Sequence, residues 1–463
     1  MEFVFVSILT LIALIGLASS RLHKPTFKNY YLADQALSPI LSGLSAMATN
    51  NSGYMFIGLI GFTYLNGLSS IWLMLGWIIG DFIITQTLFK KLIPISHQSN
   101  QVTYASIIGD WAKNIYVTKF IALLSFLFLI LYASAQFAAS GKTLMAILNW
   151  PFYSGVLVGG VIVILYSLAG GIRASIWTDA VQSLVMFLAM GALAWCGIVE
   201  LGGPSKAIAS WSQIDGYLNL FNTDYSAPYR LLVALSWIGA GIFVIAQPHI
   251  MVRFFAVKDM RALSQSRIYY YIGFTLFYTL SFIVGMLSRI YLGDINQIDP
   301  EFALPVMAQK LFDPFFLGVI VAGIFAATMS TADSLVINCS GNISQDLLGI
   351  KTYSNKLIKI ITLLVAITAV SLALINSSNV FSVVIFAWTI LGYLFTPIVL
   401  MLYLGKKMKM QPIIISSIIG SVIFLWTNAA NHFEGMYSGI FPFLFCTSYL
   451  YINLKKEPYK KEK

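Results

Sequence analysis

The chain is dominated by apolar runs, thirteen of them, each about as long as a bilayer is thick and each followed by a short polar or charged stretch. About 18–20 consecutive apolar residues, wound as a helix, span the ~30 Å hydrocarbon layer. In lipid such a run must satisfy its own backbone, which a helix does within one segment. The cores lie near 2–20, 37–60, 68–89, 117–146, 152–170, 178–202, 228–250, 264–292, 315–340, 354–375, 379–404, 411–428 and 436–453. The fold class is therefore an all-α polytopic membrane protein. Hydrophobic residues make up 58% of the chain and charged residues 10%, against ~25% charged in soluble domains. That balance excludes a soluble enzyme, a secreted disulfide scaffold and a disordered protein.

The charges also predict an orientation. Arg21, Lys24 and Lys28 follow the first run instead of preceding it. This is the reverse of a cleavable leader, so the run reads as a retained helix with its N-terminus outside. Alternate loops then face the cytoplasm, and they hold 23 of the 28 Lys and Arg residues, as cytoplasmic loops do. The outer loops hold Lys206, Arg230, Arg289 and Lys310, and Lys142 lies inside the fourth span. The net charge of +10 is thus a sidedness signal, and nucleic acid is not an expected partner. The long loops 203–227 and 293–314 have room for short surface helices. Cys196, Cys339 and Cys446 are odd in number and lie in apolar runs, which supports neither disulfides nor a metal cluster.

Spans that depart from Leu, Ile, Val and Phe point to function, because polar groups in hydrocarbon are costly. The second span carries Thr49-Asn50-Asn51-Ser52-Gly53 at its centre. Unwound there, its free carbonyls can face a cavity and coordinate an ion. The bland alternative is a helix-packing face built on Gly43, Ala46 and Gly53. The ninth span bears a stripe of Gly323, Ala327, Ser330, Thr331, Ser334, Asn338 and Gly341, which three- and four-residue spacing puts on one face. Ser330 and Thr331 offer hydroxyls and Ala327 a carbonyl, although such hydroxyls also bond back to their own helix. Oxygens without a full carboxylate suit a monovalent hard cation, whereas divalent ions recruit Asp or Glu. Sodium is the candidate.

Asp333 shares that helix, and Asp179 opens the sixth span as either a functional carboxylate or an N-cap beside Thr178. Asp81 in the third span has no partner visible in the sequence. The seventh span holds Trp237, Gly239 and Gly241 and ends Gln247-Pro248-His249. Interrupted helices five spans apart suggest a 5+5 inverted repeat, spans two to six (37–202) and seven to eleven (228–404). Residues 1–20 then form an extra helix, 411–453 two accessory helices and 454–463 a basic cytoplasmic tail, all in one transporter domain.

These segments resemble the sodium/solute symporter family, and within it the proline symporter branch. The resemblance covers roughly 29–404. Gly170-Gly171-Ile172-Arg173-Ala174-Ser175-Ile176-Trp177-Thr178-Asp179-Ala180-Val181-Gln182 is similar to the family signature, and Ala326-Ala327-Thr328-Met329-Ser330-Thr331-Ala332-Asp333-Ser334 to its sodium segment. Gln247-Pro248-His249-Ile250, with Arg253-Phe254, resembles the proline branch. The resemblance implies a LeuT-type fold of thirteen helices. It implies sodium held at Ala48, Asn51, Ala327, Ser330 and Thr331, with a possible second sodium near Asp179, Ser330, Asp333 and Ser334. It implies solute contacts at Ser52, Gly53, Tyr132, Gln136, Ala240 and Val244, with Trp237 a turn away from the branch's tryptophan position. Asn50 and Gln35 stand where the branch carries aspartate and arginine, and Ala240 and Val244 stand where it carries tryptophan and tyrosine. Losing two aromatics implies a pocket of different shape or a different solute.

The expectation is a sodium-coupled importer in a bacterial inner membrane, working by alternating access, with no cofactor beyond the coupling ion. Its solute is an amino acid such as proline; the alternatives are a monocarboxylate, pantothenate, a sugar or sialic acid, or a transporter-like solute sensor. The expected partners are the solute, sodium and lipid, with the chain a monomer or weak homo-oligomer. A membrane enzyme is not expected, because no catalytic cluster of carboxylates with histidine and no metal motif is present.

Overall fold

The structure is a computed structural model that describes residues 1–19, 21, 24–221, 225–293, 298–375, 379–429 and 435–455. The basic tail from residue 456 onward lies outside the described residues. Eighteen α-helices follow one another among the described residues: α1 Glu2–Ser19, α2 Phe27–Leu32, α3 Pro39–Asn50, α4 Ile60–Asn66, α5 Ile71–Gln98, α6 Tyr104–Trp111, α7 Ile115–Leu148, α8 Phe152–Glu200 and α9 Pro204–Ser212. They continue as α10 Ala227–Ile242, α11 Pro248–Phe255, α12 Met260–Leu292, α13 Ala303–Leu311, α14 Pro314–Gly341, α15 Asn355–Ile375, α16 Val380–Tyr403, α17 Met410–Ala429 and α18 Ile440–Asn453. The expected surface helices of the two long loops are α9 and α13.

Ten helical stretches are long and apolar enough to cross a membrane, and α18 is a shorter apolar helix. Two of the ten each hold more than one expected span. Tyr54–Gln98 joins the end of the second span to the third, and α8 joins the fifth and sixth. A straight α8 of 49 residues would run ~74 Å at 1.5 Å per residue, more than twice the hydrocarbon thickness. It does not run straight. Gly171 breaks it with φ 56° and ψ −142°, a conformation that only glycine adopts readily. The Tyr30 carbonyl oxygen also lies 2.6 Å from where a Cβ would stand.

Helix α14 forms the core of the bundle. Its best membrane window is 83% buried, against 28% for α1 and for α17. It packs on α7, α8, α15, α1 and α3, which keeps its polar residues away from lipid. Leu and Ile side chains of α1, α12 and α17, such as Leu14, Ile272 and Ile418, are exposed and form the apolar outer surface. Lys142, placed in a span by its sequence, is neutralised by an ion pair with buried Glu301 from the turn before α13. The other Glu301 oxygen accepts from the Phe381 amide at 3.0 Å, at the start of α16.

Candidate functional site

The second span is broken, but over a shorter stretch than expected. Ser38 and Pro39 start α3, proline being preset for the first helical position. The helix continues through Thr49 and ends at Asn50. Asn51 leaves it at φ −84°, ψ 61°, and a wide turn, Tyr54–Leu59, restarts the chain toward α4. Only Asn51, Ser52 and Gly53 separate the two halves. Each is buried, and each is held by, or faces, another helix. Gly53 N donates to Gln136 Oε1 at 2.9 Å, and Ser52 Oγ pairs with the Tyr132 hydroxyl at 3.1 Å, both on α7. A Cβ on Gly53 would lie 2.6 Å from Thr328 Cγ2 and 2.9 Å from Gln136 Oε1. The Gly53→Ala variant should therefore push the break off α7, at a cost of ~1–3 kcal/mol for overpacking. Measured transport should fall at least tenfold, and wild-type uptake would overturn this placement.

On the other side of the break lies α14. Ser330 Oγ donates to the Ala48 carbonyl at 3.1 Å and to the Ala327 carbonyl at 3.0 Å, alternative positions of one proton. Thr331 Oγ1 donates to the Thr49 carbonyl at 3.0 Å. The end of α3 thus docks on the two hydroxyls that the ninth-span stripe singled out. Asn51 follows directly, its side-chain amide buried with neither atom hydrogen-bonded. Carbonyl and hydroxyl oxygens from two helices meet here without a carboxylate, the donor chemistry of a weakly held monovalent cation.

A second cluster lies one turn back along α3. Asp179 is buried, and its Oδ2 accepts from Ser45 Oγ at 2.6 Å and from Arg253 at 3.3 Å. Asp333 Oδ1 accepts from Ser175 Oγ at 3.1 Å and from Ser334 Oγ at 2.9 Å. Asp179 is therefore not an N-cap: it lies within α8, well past the helix's start. The three residues Asp179, Asp333 and Ser334 do converge, around the Arg253 guanidinium.

The seventh span breaks between α10 and α11. A tight turn, Phe243–Ala246, leads to Gln247 at φ −100°, ψ 96°, and Pro248 starts α11. Ala240 and Val244 are buried at this break. Trp237 lines a cavity of about 540 Å³ with Phe62, Trp72 and Tyr217, and its indole donates to the Gly435 carbonyl at 3.0 Å. The Ala240 carbonyl is met by the Trp388 indole at 2.9 Å. Trp388 packs on Trp77 with centroids 5.0 Å apart, and Trp77 on Tyr54 at 5.6 Å. Aromatic side chains of α16 and α5 thus stand beside Ala240. Trp77 Nε1, the Tyr54 hydroxyl and Gln136 Nε2 are buried without a hydrogen-bond partner in the protein.

The family model of the sodium:solute symporter family matches residues 30–420. The chain belongs to that family. This symporter is 27% identical over 450 residues to the sodium/proline symporter of Escherichia coli, covering 93% of this chain and 88% of the relative. It is 26% identical over 417 residues to the high-affinity proline transporter PutP of Bacillus subtilis, covering 87% of each. Among solved structures, a sodium-coupled sialic acid symporter in a substrate-bound outward-open state superposes with a TM-score of 0.82 at 16% identity, covering 99% of each chain. A transporter of the nucleobase-cation-symport-1 family reaches 0.60 at 11% identity, covering 91% of this chain and 94% of that one. MhsT in complex with L-phenylalanine reaches 0.57 at 16% identity, covering 89% and 96%. The fold is the LeuT type.

Three features of this symporter escaped sequence reasoning. Trp77 and Trp388 were indistinguishable from other span aromatics. Arg253, one of the 23 basic residues that the charge pattern puts in cytoplasmic loops, is instead fully buried on the helix that Pro248 starts. Asp81, without a visible partner in the sequence, accepts from the Tyr270 and Tyr271 hydroxyls at 2.5 and 2.7 Å. Tyr270 in turn accepts from Asn50 Nδ2 at 2.6 Å, which ties a carboxylate on α5 to the end of α3. The Asp81→Ala variant should strand the buried Tyr270 hydroxyl proton at ~1–3 kcal/mol, since Tyr271 keeps Thr85 as a partner at 2.5 Å, while Asp81→Asn keeps an acceptor. Melting temperatures should rank wild type, Asn, Ala; an Ala variant as stable as Asn would rule out this role.

Proposed function

We propose that this symporter imports a small carboxylate-bearing solute, an amino acid such as proline being the leading class, with sodium bound where α3 meets α14. The observation that carries the ion assignment is Ser330 bridging the Ala48 and Ala327 carbonyls at 3.1 and 3.0 Å. Sodium inserted among Ala48, Asn51, Ala327, Ser330 and Thr331 would brace the broken α3 against α14. The braced break would then offer Ser52 and Gly53, with Tyr132 and Gln136, to the solute. The unpartnered Trp77 Nε1, Tyr54 hydroxyl and Gln136 Nε2 can all donate hydrogen bonds, which suits a solute carrying acceptor oxygens such as those of a carboxylate. The packing of Trp388 at Ala240 supports a pocket reshaped from that of the proline branch rather than emptied. Rocking of the bundle about the two breaks would open the site alternately to each side. The bias of basic residues supports an outer N-terminus and a cytoplasmic C-terminus in a bacterial inner membrane.

The test is thermal stability of the purified protein across amino acids, monocarboxylates and sugars, in sodium and in choline. L-Proline or another small amino acid is expected to raise the melting temperature only in sodium. Stabilisation by a sugar, with no effect of any carboxylate, would end this reading of the pocket.

A further inference from the structure

Arg253 is fully buried at the centre of the bundle, and an arginine does not shed its charge there. Its side chain crosses from α11 to three other helices. Nε donates to Ser45 Oγ on α3 at 3.1 Å. One terminal nitrogen reaches Ser175 Oγ on α8 at 2.9 Å, Asp179 Oδ2 at 3.3 Å and Ser334 Oγ on α14. The other turns back to the His249 carbonyl at 2.5 Å. Ser175 relays the contact to Asp333 Oδ1.

Asp179, Asp333 and Ser334 are three of the four residues near which the resemblance put a second sodium; the fourth, Ser330, turns to the Ala48 and Ala327 carbonyls instead. We infer that the Arg253 guanidinium is the second cation of this symporter, tethered between Asp179 and Asp333 in place of a second sodium, so that one sodium ion moves with each solute. The inference rests on the sodium-symport reading and adds its stoichiometry.

Three physical points carry it. Asp179 Oδ2 and the Ser334 hydroxyl, two of the positions near which the resemblance put that sodium, already accept N–H bonds from Arg253. The oxygens left without a partner there are Asp179 Oδ1 and Asp333 Oδ2. The guanidinium already supplies a positive charge to both carboxylates, directly at Asp179 and through Ser175 at Asp333. The tether has a mechanical consequence. A dissociable ion would link α3, α8, α11 and α14 only while bound, whereas the Arg253 charge stays on α11 in every state, and Ser42 Oγ joins α3 to α11 by donating to the Arg253 carbonyl at 2.9 Å.

The test counts sodium on the purified full-length protein with radioactive sodium in a proximity binding assay. The wild type is expected to bind one ion per chain with a Hill coefficient near one. Arg253→Gln, which removes the charge and keeps a polar side chain, should bind two, and Arg253→Lys should bind one. Adding Ser330→Ala and Thr331→Ala to Arg253→Gln should leave one, the ion held by the freed carboxylates. Two ions on the wild type overturn the inference, and this arm needs no variant to fold. A single ion on an Arg253→Gln protein that elutes as the wild type does also overturns it. No sodium binding by the wild type would instead sink the symport reading itself.

Discussion

The Ser330→Ala/Thr331→Ala variant is expected to lose sodium-stimulated transport. Each hydroxyl serves α14 in two ways. It closes the gap to α3 by donating to the Ala48 and Thr49 carbonyls, and under the proposed function it turns an oxygen toward the ion. A contact to a charged group contributes ~1.5–3 kcal/mol, so losing two should weaken sodium binding at least ~100-fold. Lost contacts to α3 will also lower the melting temperature in choline, so the diagnostic quantity is the increment that sodium adds. That increment should vanish in the variant. A wild-type increment with wild-type uptake would remove the ion from this site.

The second large effect concerns how the third and seventh spans meet. A Cβ on Gly241 would lie 2.1 Å from the Trp77 carbonyl oxygen and 2.6 Å from the Asp81 amide nitrogen. Both obstacles are backbone, so no side-chain rotation relieves them. Gly241→Leu should keep α10 from docking on α5, at ~3 kcal/mol or more, and should disturb both the Trp77–Trp388 stack and the Asp81 network behind it. The expected readout is a large loss of folded yield and of melting temperature. Gly191 on α8 makes the control, since nothing stands within 4 Å of its would-be Cβ. Gly191→Ala should be neutral or slightly stabilising, because alanine is the better helix former by ~0.5–1 kcal/mol. Equal stability of the two variants would show that the α5–α10 contact is not close-packed.

Much of the site was legible because lipid restricts what a span may contain. Asn51-Ser52-Gly53 and Ser330-Thr331 stood out as polar groups in places where hydrocarbon tolerates few, and the structure brings the two segments together. The length of the break was not legible. Thr49 and Asn50 remain helical because each has a partner for its side chain, Ser334 for Thr49 at 3.3 Å and Tyr270 for Asn50. Those partners lie more than 200 residues away in the chain. The cavity at Trp237 was not legible either: Phe62, Trp72 and Tyr217, which line it with Trp237, come from three other segments of the chain.

The sequence by itself determined the membrane class, where two spans must break and which hydroxyls of α14 stand out, and its motifs resembled those of the family to which the chain belongs. The class, the breaks and the hydroxyls follow from local rules, namely run length, polarity within a run, and spacing around a helix. Only the tertiary structure decided that Arg253 lies between Asp179 and Asp333, that Asp81 serves Tyr270 and Tyr271, and that Trp388 covers Ala240. Periodicity gives the face on which a side chain stands. What that face meets depends on how closely two helices approach, and here backbone contacts such as that of Gly241 with Trp77 set the approach.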